Sequence, residues 1–310
     1  MENVVRIHQV EKMFGDRVAL AGIDLEVESG TLCCLYGPAM AGKSTLLRIL
    51  AGEIRPSRGK VEVMGVDPFY HRTTARSLLG FLPENPTFHE GMSVRGYLAF
   101  LGRAGGLGGS SLAHRLDETM QCCALGEPGQ LVRSLTSEGF ARLGLAQALL
   151  LGPPVLLLDD LASGLSGESR QRLEALLLSL RGDHAIIYSA RSLGPLEEKA
   201  DSLVALDRGI LLFHHSLASL RSRYKQPVIR FRPGSCPPPF LHSLRQQPWL
   251  EEMAEENDTI ILRVHDLDRA LIDLPKLIAA HGLPLYRLEV PQTTLPELLS
   301  QAGRDLASHV

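Results

Sequence analysis

Residues Gly37 to Thr45 read GPAMAGKST and constrain this chain more than any other stretch. They lie between a short apolar run, Leu32 to Tyr36, and an amphipathic run carrying Leu46, Leu47, Ile49 and Leu50. That context predicts strand, loop, helix. The pattern G-x-x-x-x-G-K-[ST] is suited to a phosphate. Gly37 and Gly42 let backbone N–H groups close around phosphate oxygens, with Met40 and Ala41 in the same loop. Lys43 brings a point charge, the Ser44 hydroxyl is a ligand for Mg²⁺, and Thr45 continues the first turn. A helix starting near Gly42 adds the positive end of its dipole.

A second stretch fits the first. Val155 to Asp160 reads VLLLDD after the turn Gly152-Pro153-Pro154. It predicts a buried parallel strand that delivers two carboxylates to its C-terminal end, where open α/β sheets bind ligands. Asp159 would hold Mg²⁺, directly or through water, and Asp160 would lie beside an attacking water.

The 310 residues suffice for two domains. An apolar fraction of 45% and a charged fraction of 22% are those of an ordinary globular protein. A net charge of −3 argues against a strong overall field for nucleic acid or lipid. Cys33, Cys34, Cys122, Cys123 and Cys236 match neither a zinc spacing nor a disulfide framework, and they read as reduced thiols. The opening MENVVRIHQVEK lacks the apolar core of a signal peptide. The longest apolar stretch, Leu143 to Leu158, is broken by Gln147, Gly152 and two prolines. A membrane role would therefore need a partner.

Short alternating runs before about residue 28, with turns at Gly15-Asp16 and Gly22, predict antiparallel strands. A strand follows at Lys60 to Met64. Residues 86 to 150 read as mostly helical, with a glycine-rich break at Gly102 to Gly109. Strands return at 155–158, 185–189 and 203–206, and Asp207-Arg208-Gly209 turns the chain into Ile210–Phe213. Prolines 227, 233 and 237 to 239 mark a boundary after Tyr224. The tail then alternates βαββαβ: strand 228–232, helix 240–246, strands 250–255 and 259–264, helix 268–281, strand 283–289. That order suggests a ferredoxin-like sandwich. Thr294 and Glu297 form a capping box for a last helix.

The chain resembles the nucleotide-binding subunit of ABC transporters. Phe14 in KMFG stands where the family keeps an aromatic for adenine. GFLPENP (Gly80 to Pro86) resembles the loop linking the core to the helical subdomain. SLTSEGFARLGLAQAL (Ser134 to Leu149) resembles the region around the signature LSGGQ. SGLS (Ser163 to Ser166) resembles the SALD loop, and YSARSL (Tyr188 to Leu193) the switch STHxL. The resemblance covers about residues 3 to 220, and the tail resembles, more loosely, the accessory segment of the ABC-2 exporter branch. It implies a P-loop NTPase fold of the ABC ATPase kind, an α/β RecA-like core with antiparallel β and helical subdomains. Residues 1–224 would form this domain, with its helical subdomain at about 86–150, and 225–310 a small α+β accessory domain. It also implies ATP and Mg²⁺ as cofactors, a second ATP-binding subunit, polytopic membrane subunits as partners and no nucleic acid. The location would be cytoplasmic, peripheral on the inner face of the cytoplasmic membrane. In the family the signature, here Leu135, Thr136, Ser137, Glu138 and Gly139, acts on the ATP of the opposite chain.

The chain departs from the family at most catalytic positions. Met40 replaces a loop glycine, Glu84 the loop glutamine, Asp160 the catalytic glutamate, Ser166 the SALD aspartate and Arg191 the switch histidine. Asp160 falls one methylene short, which matters when proton transfer needs about 2.6–3.2 Å. Glu84 keeps an oxygen for Mg²⁺. Ser137 and Glu138 replace both signature glycines. A Glu138 carboxylate near a γ-phosphate at 4 Å would cost about 4 kcal/mol at an effective dielectric constant of 20. Arg191, following the strand at 185–189, is expected at the ligand end of the sheet, gripping phosphate oxygens. The competing expectation is a pair with Glu197 or Glu198.

Other candidates are weaker. His214 and His215 are adjacent in a strand and point to opposite faces, which disfavours one shared ion. Arg221, Arg223, Tyr224 and Lys225 read as a solvated helix end rather than a nucleic-acid site. Two functions remain open from sequence: an ATP-binding exporter subunit with weak hydrolysis, and a non-hydrolysing ABC-fold subunit with a structural or regulatory role. A generic P-loop kinase or GTPase accounts for neither the signature-like nor the switch-like region.

Overall fold

The computed structural model describes residues 2–162, 164–224, 227–234, 236–256, 259–290 and 295. The expected capping box at Thr294 and Glu297 and residues Ser163 and Lys225 lie outside them. The chain divides into two compact units, Met1–Leu217 and Ala218–Val310.

In the first unit, β1 (Asn3–Phe14) and β2 (Arg17–Glu28) form an antiparallel hairpin. Gly22 was expected to turn the chain, yet it lies within β2 at φ +70°. Opposite it, Gln9 has φ +46° and the β1–β2 register slips between Ile7 and Val10. The two absorb a bulge that bends the hairpin without ending the strand. Asp24 holds the bulge by accepting the Gln9 N–H at 2.9 Å.

The next elements are β3 (Leu32–Tyr36), α1 (Lys43–Leu50), β4 (Arg58–Val63), α2 (Arg72–Leu78) and β5 (Leu79–Leu82). Then come α3 (Val94–Ala104), α4 (Gly109–Cys122), α5 (Ser137–Leu149), β6 (Val155–Leu158) and α6 (Gly167–Ser179). The unit continues with β7 (Ala185–Ala190), β8 (Ser202–Asp207) and β9 (Ile210–Ser216), and α7 (Leu217–Tyr224) begins at its end. The division of the chain thus falls at the start of α7, not after it.

Two sheets result. β2-β1-β4 is antiparallel, and β5-β6-β7-β3-β8-β9 is parallel except for β9. The central strands are covered on both faces, which explains their unbroken apolar runs: all of Val155–Leu158 and all of Ala185–Ala190 are buried. Burial also pushes the Cys33 thiol up to about 11 and the Cys34 thiol upward, so both act as small apolar residues. Helices α3, α4 and α5 pack on one another. Ser93 caps α3 by accepting the Gly96 N–H at 3.1 Å.

The second unit holds β10 (Val228–Pro233), α8 (Pro238–Arg245), β11 (Leu250–Glu256), β12 (Thr259–Val264), α9 (Leu267–Ala280) and β13 (Leu285–Glu289). Its antiparallel sheet has the order β11-β12-β10-β13, a ferredoxin-like sandwich. Ile229, Phe231, Ile260, Leu262 and Val264 face inward against Phe240, Leu244, Leu274 and Ile278.

Trp249, the chain's single tryptophan, is 1% exposed in this second core. Its fluorescence therefore reports the unfolding of this unit. Phe231→Ala should destabilise it by about 3–5 kcal/mol through lost transfer energy and a cavity. A urea titration followed by tryptophan emission should show an earlier midpoint; an unchanged midpoint would contradict this packing.

Candidate phosphate-binding cleft

The loop between β3 and α1 is seated by backbone contacts that exclude side chains. A Cβ on Gly37 would come within 2.2 Å of the Leu206 carbonyl oxygen in β8. Gly42, the N-cap of α1, has φ +106°, and a Cβ there would lie 2.8 Å from the Ala19 carbonyl oxygen in β2. Both positions require glycine. Met40 has φ +65° without being glycine and is 72% exposed. The left-handed conformation costs a non-glycine residue about 1–2 kcal/mol. A glycine would relieve that strain but add freedom to the unfolded chain, about 0.4–1 kcal/mol the other way. The larger consequence of Met40 is a thioether side chain at the rim of the cleft.

A cleft of about 270 Å³ opens on this loop. Ala39 to Thr45 form one wall, so the first N–H groups of α1, which lack intrahelical partners, belong to it. Lys43 is 6% exposed, and its ammonium donates to the carbonyls of Gly37 at 2.6 Å and Pro38 at 2.8 Å. Burial first, and then the nearby Arg191 charge, push its pKa down. Ser44 and Asp159 both line the cleft.

The opposite wall is built by the ends of β6 and β7. Asp159 is 4% exposed, and its Oδ1 accepts the Ser189 hydroxyl at 2.6 Å. Ser189 Oγ in turn accepts the Asp160 N–H at 2.9 Å. This serine thus locks both carboxylates to β7. Asp160 takes φ +52°, a conformation aspartate tolerates better than most residues. Arg191 donates from Nη2 to Glu84 Oε1. The same nitrogen lies 3.0 Å from Asp160 Oδ2, off the line of a hydrogen bond, so this buried oxygen has a charge beside it and no donor aimed at it.

The structure therefore gathers Met40, Ala41, Gly42, Lys43, Ser44, Thr45, Glu84, Asp159, Asp160 and Arg191 into one cleft, with Gly37 seating the loop beneath it. Arg191 does not pair with Glu197. That carboxylate is buried and accepts the Gly194 N–H at 2.7 Å, and burial raises its pKa. Phe14 is 49% exposed at the β1–β2 turn and does not line the cleft; Lys12 Nζ lies 4.9 Å from its ring centroid. Arg17, Ala19, Ala39 and Ser189 line the cleft without having been singled out from sequence. Ser189 stands in the quoted YSARSL, and Arg17 follows Phe14 by three residues, so the signals were present but their role needed the third dimension.

Leu135 to Gly139 lie outside this cleft. Thr136 is the N-cap of α5 and accepts the Gly139 N–H at 3.2 Å. Ser137 starts the helix, and Gly139 packs on Leu135. Within its own chain the Glu138 carboxylate, which the sequence reading sets near a γ-phosphate of an opposite chain, has two partners. Its oxygens accept from Arg142 Nη2 at 2.8 Å and Arg172 Nη2 at 2.7 Å. Arg142 is four residues on in the same helix, and Arg172 reaches across from α6. These hydrogen bonds, Arg172's first, hold the Glu138 carboxyl well below the usual range. The anion is neutralised within its own chain.

Comparison with known proteins places this geometry. The profile of the family described as ABC transporter matches residues 20–163. The ATP-binding protein YxlF of Bacillus subtilis, itself described as an uncharacterised ABC transporter protein, is 27% identical over 282 residues, covering 90% of each chain. The daunorubicin resistance ATP-binding protein DrrA3 of Streptomyces coeruleorubidus is 30% identical over 223 residues, 71% of each. The sulfate/thiosulfate import ATP-binding protein CysA of Thermosynechococcus vestitus is 32% identical over 208 residues, 66% of this chain and 62% of that one. Among solved structures, the dimeric bacterial ABC transporter cassette MJ0796 superposes with a TM-score of 0.61 at 20% identity, covering 69% of this chain and 98% of that one.

Glu138→Ala leaves Arg142, itself 13% exposed, without its carboxylate. The loss should be about 1–2 kcal/mol, discounted because Arg172 is half-exposed. A depressed carboxyl stabilises the fold above its unfolded pKa, about 4.3, and loses that contribution as pH falls through the folded value. Wild type should therefore exceed the variant at all pH above about 4, and the gap should close only in stronger acid. Denaturation at pH 7, 5 and 3 tests this; a gap that closes by pH 5 would contradict the double ion pair.

Proposed function

Because this chain belongs to the ATP-binding proteins of ABC transporters, we propose that it is the nucleotide-binding subunit of an ABC-2 type exporter that holds ATP and hydrolyses it slowly. One observation carries the second half of this reading: the Arg191 guanidinium lies between Glu84 and Asp160. An attacking water needs an acceptor within about 2.6–3.2 Å. The candidate acceptor is Asp160, whose Oδ2 has a guanidinium nitrogen at 3.0 Å. The cation thus occupies the space such a water would need. An arginine that also touches phosphate in the ground state favours binding over turnover.

The loop, Lys43 and the first turn of α1 supply phosphate contacts. Ser44 and Asp159 fit a Mg²⁺ that arrives with the nucleotide, since a hydroxyl and one oxygen of a buried carboxylate face the same cleft. Glu84 does not fit as a ligand while its carboxylate is held by Arg191. Bound Mg²⁺ would neutralise phosphate charge; the protein's own part is to orient the chain of phosphates and to limit water.

The export reading draws on DrrA3, a resistance protein, and on the tail's resemblance to exporter accessory segments. CysA, in turn, is described as an import ATP-binding protein. No helix among the described residues is long and apolar enough to cross a membrane. The partner surface we favour is the segment from Glu84 to Phe88 with α3. There Phe88 packs against Tyr97 and Phe140 at 5.8 and 5.7 Å between centroids, and His89 bridges to Phe100, which is 49% exposed. A supported aromatic knob is the kind of anchor that interfaces bury.

Purified protein should release phosphate from ATP at less than about 1 s⁻¹, the low end of enzymes generally. The rate should approach that of Lys43→Ala. A Lys43-dependent turnover of several per second would overturn the slow-hydrolysis reading. The partner placement is tested by co-purifying the chain with its membrane subunits. Phe100→Asp should reduce recovery of the complex, while an unchanged complex would move the interface elsewhere.

A further inference from the structure

Strand β13 forms one edge of the second unit's sheet, and among the described residues it pairs only with β10. Such an edge presents a row of backbone N–H and C=O groups that another strand can meet. Proteins commonly guard an edge with charge, but here Leu285, Tyr286 and Val290 are 39%, 70% and 41% exposed. The ladder assigns the two faces. Leu288 stands opposite the buried Phe231 and packs on the second core. Tyr286 and Val290, two residues away on either side, fall on that same core face by alternation. Arg287 and Glu289 fall on the open face and pair with each other at 2.6 Å. Tyr286 is thus a large side chain on the core side of the sheet that stays mostly in solvent.

We propose that this edge binds a second copy of the chain, β13 against β13, antiparallel about a two-fold axis through Leu288, so that the two sheets become one. Opposed residues of an antiparallel pair share a face, so in a symmetric pairing the axis passes through a residue. An axis through Arg287 would set two guanidinium groups opposite each other, and one through Glu289 two carboxylates. An axis through Tyr286 would set Arg287 against Leu285. Through Leu288, Arg287 meets Glu289 of the second copy twice, Tyr286 meets Val290 twice, and Leu288 meets its equivalent. Charge then pairs with charge on the open face and apolar with apolar on the core face, the cross-strand pairs that stabilise sheets. Within the chain, Arg232 stands directly opposite Arg287 in the ladder. Such a like-charge pair is relieved by a further anion, which Glu289 of the second copy brings. A strand edge falls at the small end of specific interfaces, below about 1,200 Å², so the dimer should form and dissociate with concentration.

Light scattering of the full chain in nucleotide-free buffer, over a range of concentrations, reads the dimer. Glu289→Arg turns two ion pairs into two repulsions and should weaken association by about tenfold or more. The exchange Arg287→Glu with Glu289→Arg restores both pairs and should return it to within about threefold of wild type. Tyr286→Lys should weaken it as well. All three positions are exposed, so the folding of the second unit, followed by Trp249 emission, should change little. Hydrogen exchange of the β13 amides identifies the occupant of the edge. Protection that appears only at high concentration, and that Glu289→Arg removes, supports the second copy. Protection that is independent of concentration would assign the edge to the chain's own residues beyond Val290 and overturn the proposal. A chain that stays monomeric at high concentration, or a dimer that Glu289→Arg leaves unchanged, would overturn it too.

Discussion

The architecture of the first unit depends on how closely three stretches of backbone meet at the phosphate loop. Gly37 lies against the Leu206 carbonyl of β8, and Gly42 against the Ala19 carbonyl of β2. Gly209, just after β8, would place a Cβ 2.6 Å from the same Ala19 oxygen. The Gly209 N–H donates to the Ala41 carbonyl at 2.9 Å, and the Ala21 N–H donates to the Gly209 carbonyl at 2.8 Å. These contacts join the antiparallel hairpin, the parallel sheet and the loop into one body. A single methyl group at any of the three glycines would force backbone apart. The loop is therefore rigid because the two sheets meet there, and the first turn of α1 inherits that rigidity.

Rigid seating gives the cleft charges their meaning. Lys43 is turned onto the loop carbonyls, and Ser189 fixes the two aspartates. Arg191, which ties Glu84 to Asp160, stays half in solvent and half in the site. A side chain of this kind balances the exposed Glu84 and the sheltered Asp160 without being buried itself, which avoids most of the desolvation cost of an internal ion pair. Glu138 is balanced in the same manner on α5, by one sheltered and one half-exposed arginine.

The parts of this structure that were legible in the sequence are those set by local rules. The loop glycines, the buried strands β6 and β7, the mostly buried strand β3 and the βαββαβ order of the tail each follow from spacing or residue type. The tail's order was readable because inward residues alternate along β10 and β12. Helix α2 was not readable: of Arg72–Leu78 only Ala75 is buried, so no apolar stripe marks it. Strand β5 was hidden by Gly80, which looks like a breaker but is needed because the Ala148 carbonyl would lie 2.2 Å from a Cβ. Gly22 looked like a turn because the bulge that accommodates it is made with Gln9 on another strand. Glu138 and Arg172 are 34 residues apart, and Glu84 and Arg191 are 107 apart. No local rule pairs residues at such distances, so their charges could be counted from sequence but not balanced.

That balance changes how the departures from the family pattern are read. Taken singly along the sequence, Glu84 for glutamine and Arg191 for histidine are two losses. In space they are one exchange. A neutral amide and a mostly neutral imidazole are replaced by an anion and a cation that bind each other, so the net charge of the cleft is unchanged. An anion at 84 without Arg191 would add a carboxylate beside Asp160, whereas Arg191 has Asp160 as a counter-ion in either case. Met40, held at φ +65° and 72% exposed, stands at the rim of a loop whose Gly37 and Gly42 are required by backbone contacts. The cleft thus balances its charges within the chain, Glu84 and Asp160 on Arg191 and Asp159 on Ser189, and keeps the loop and the first turn of α1 as its phosphate-facing wall.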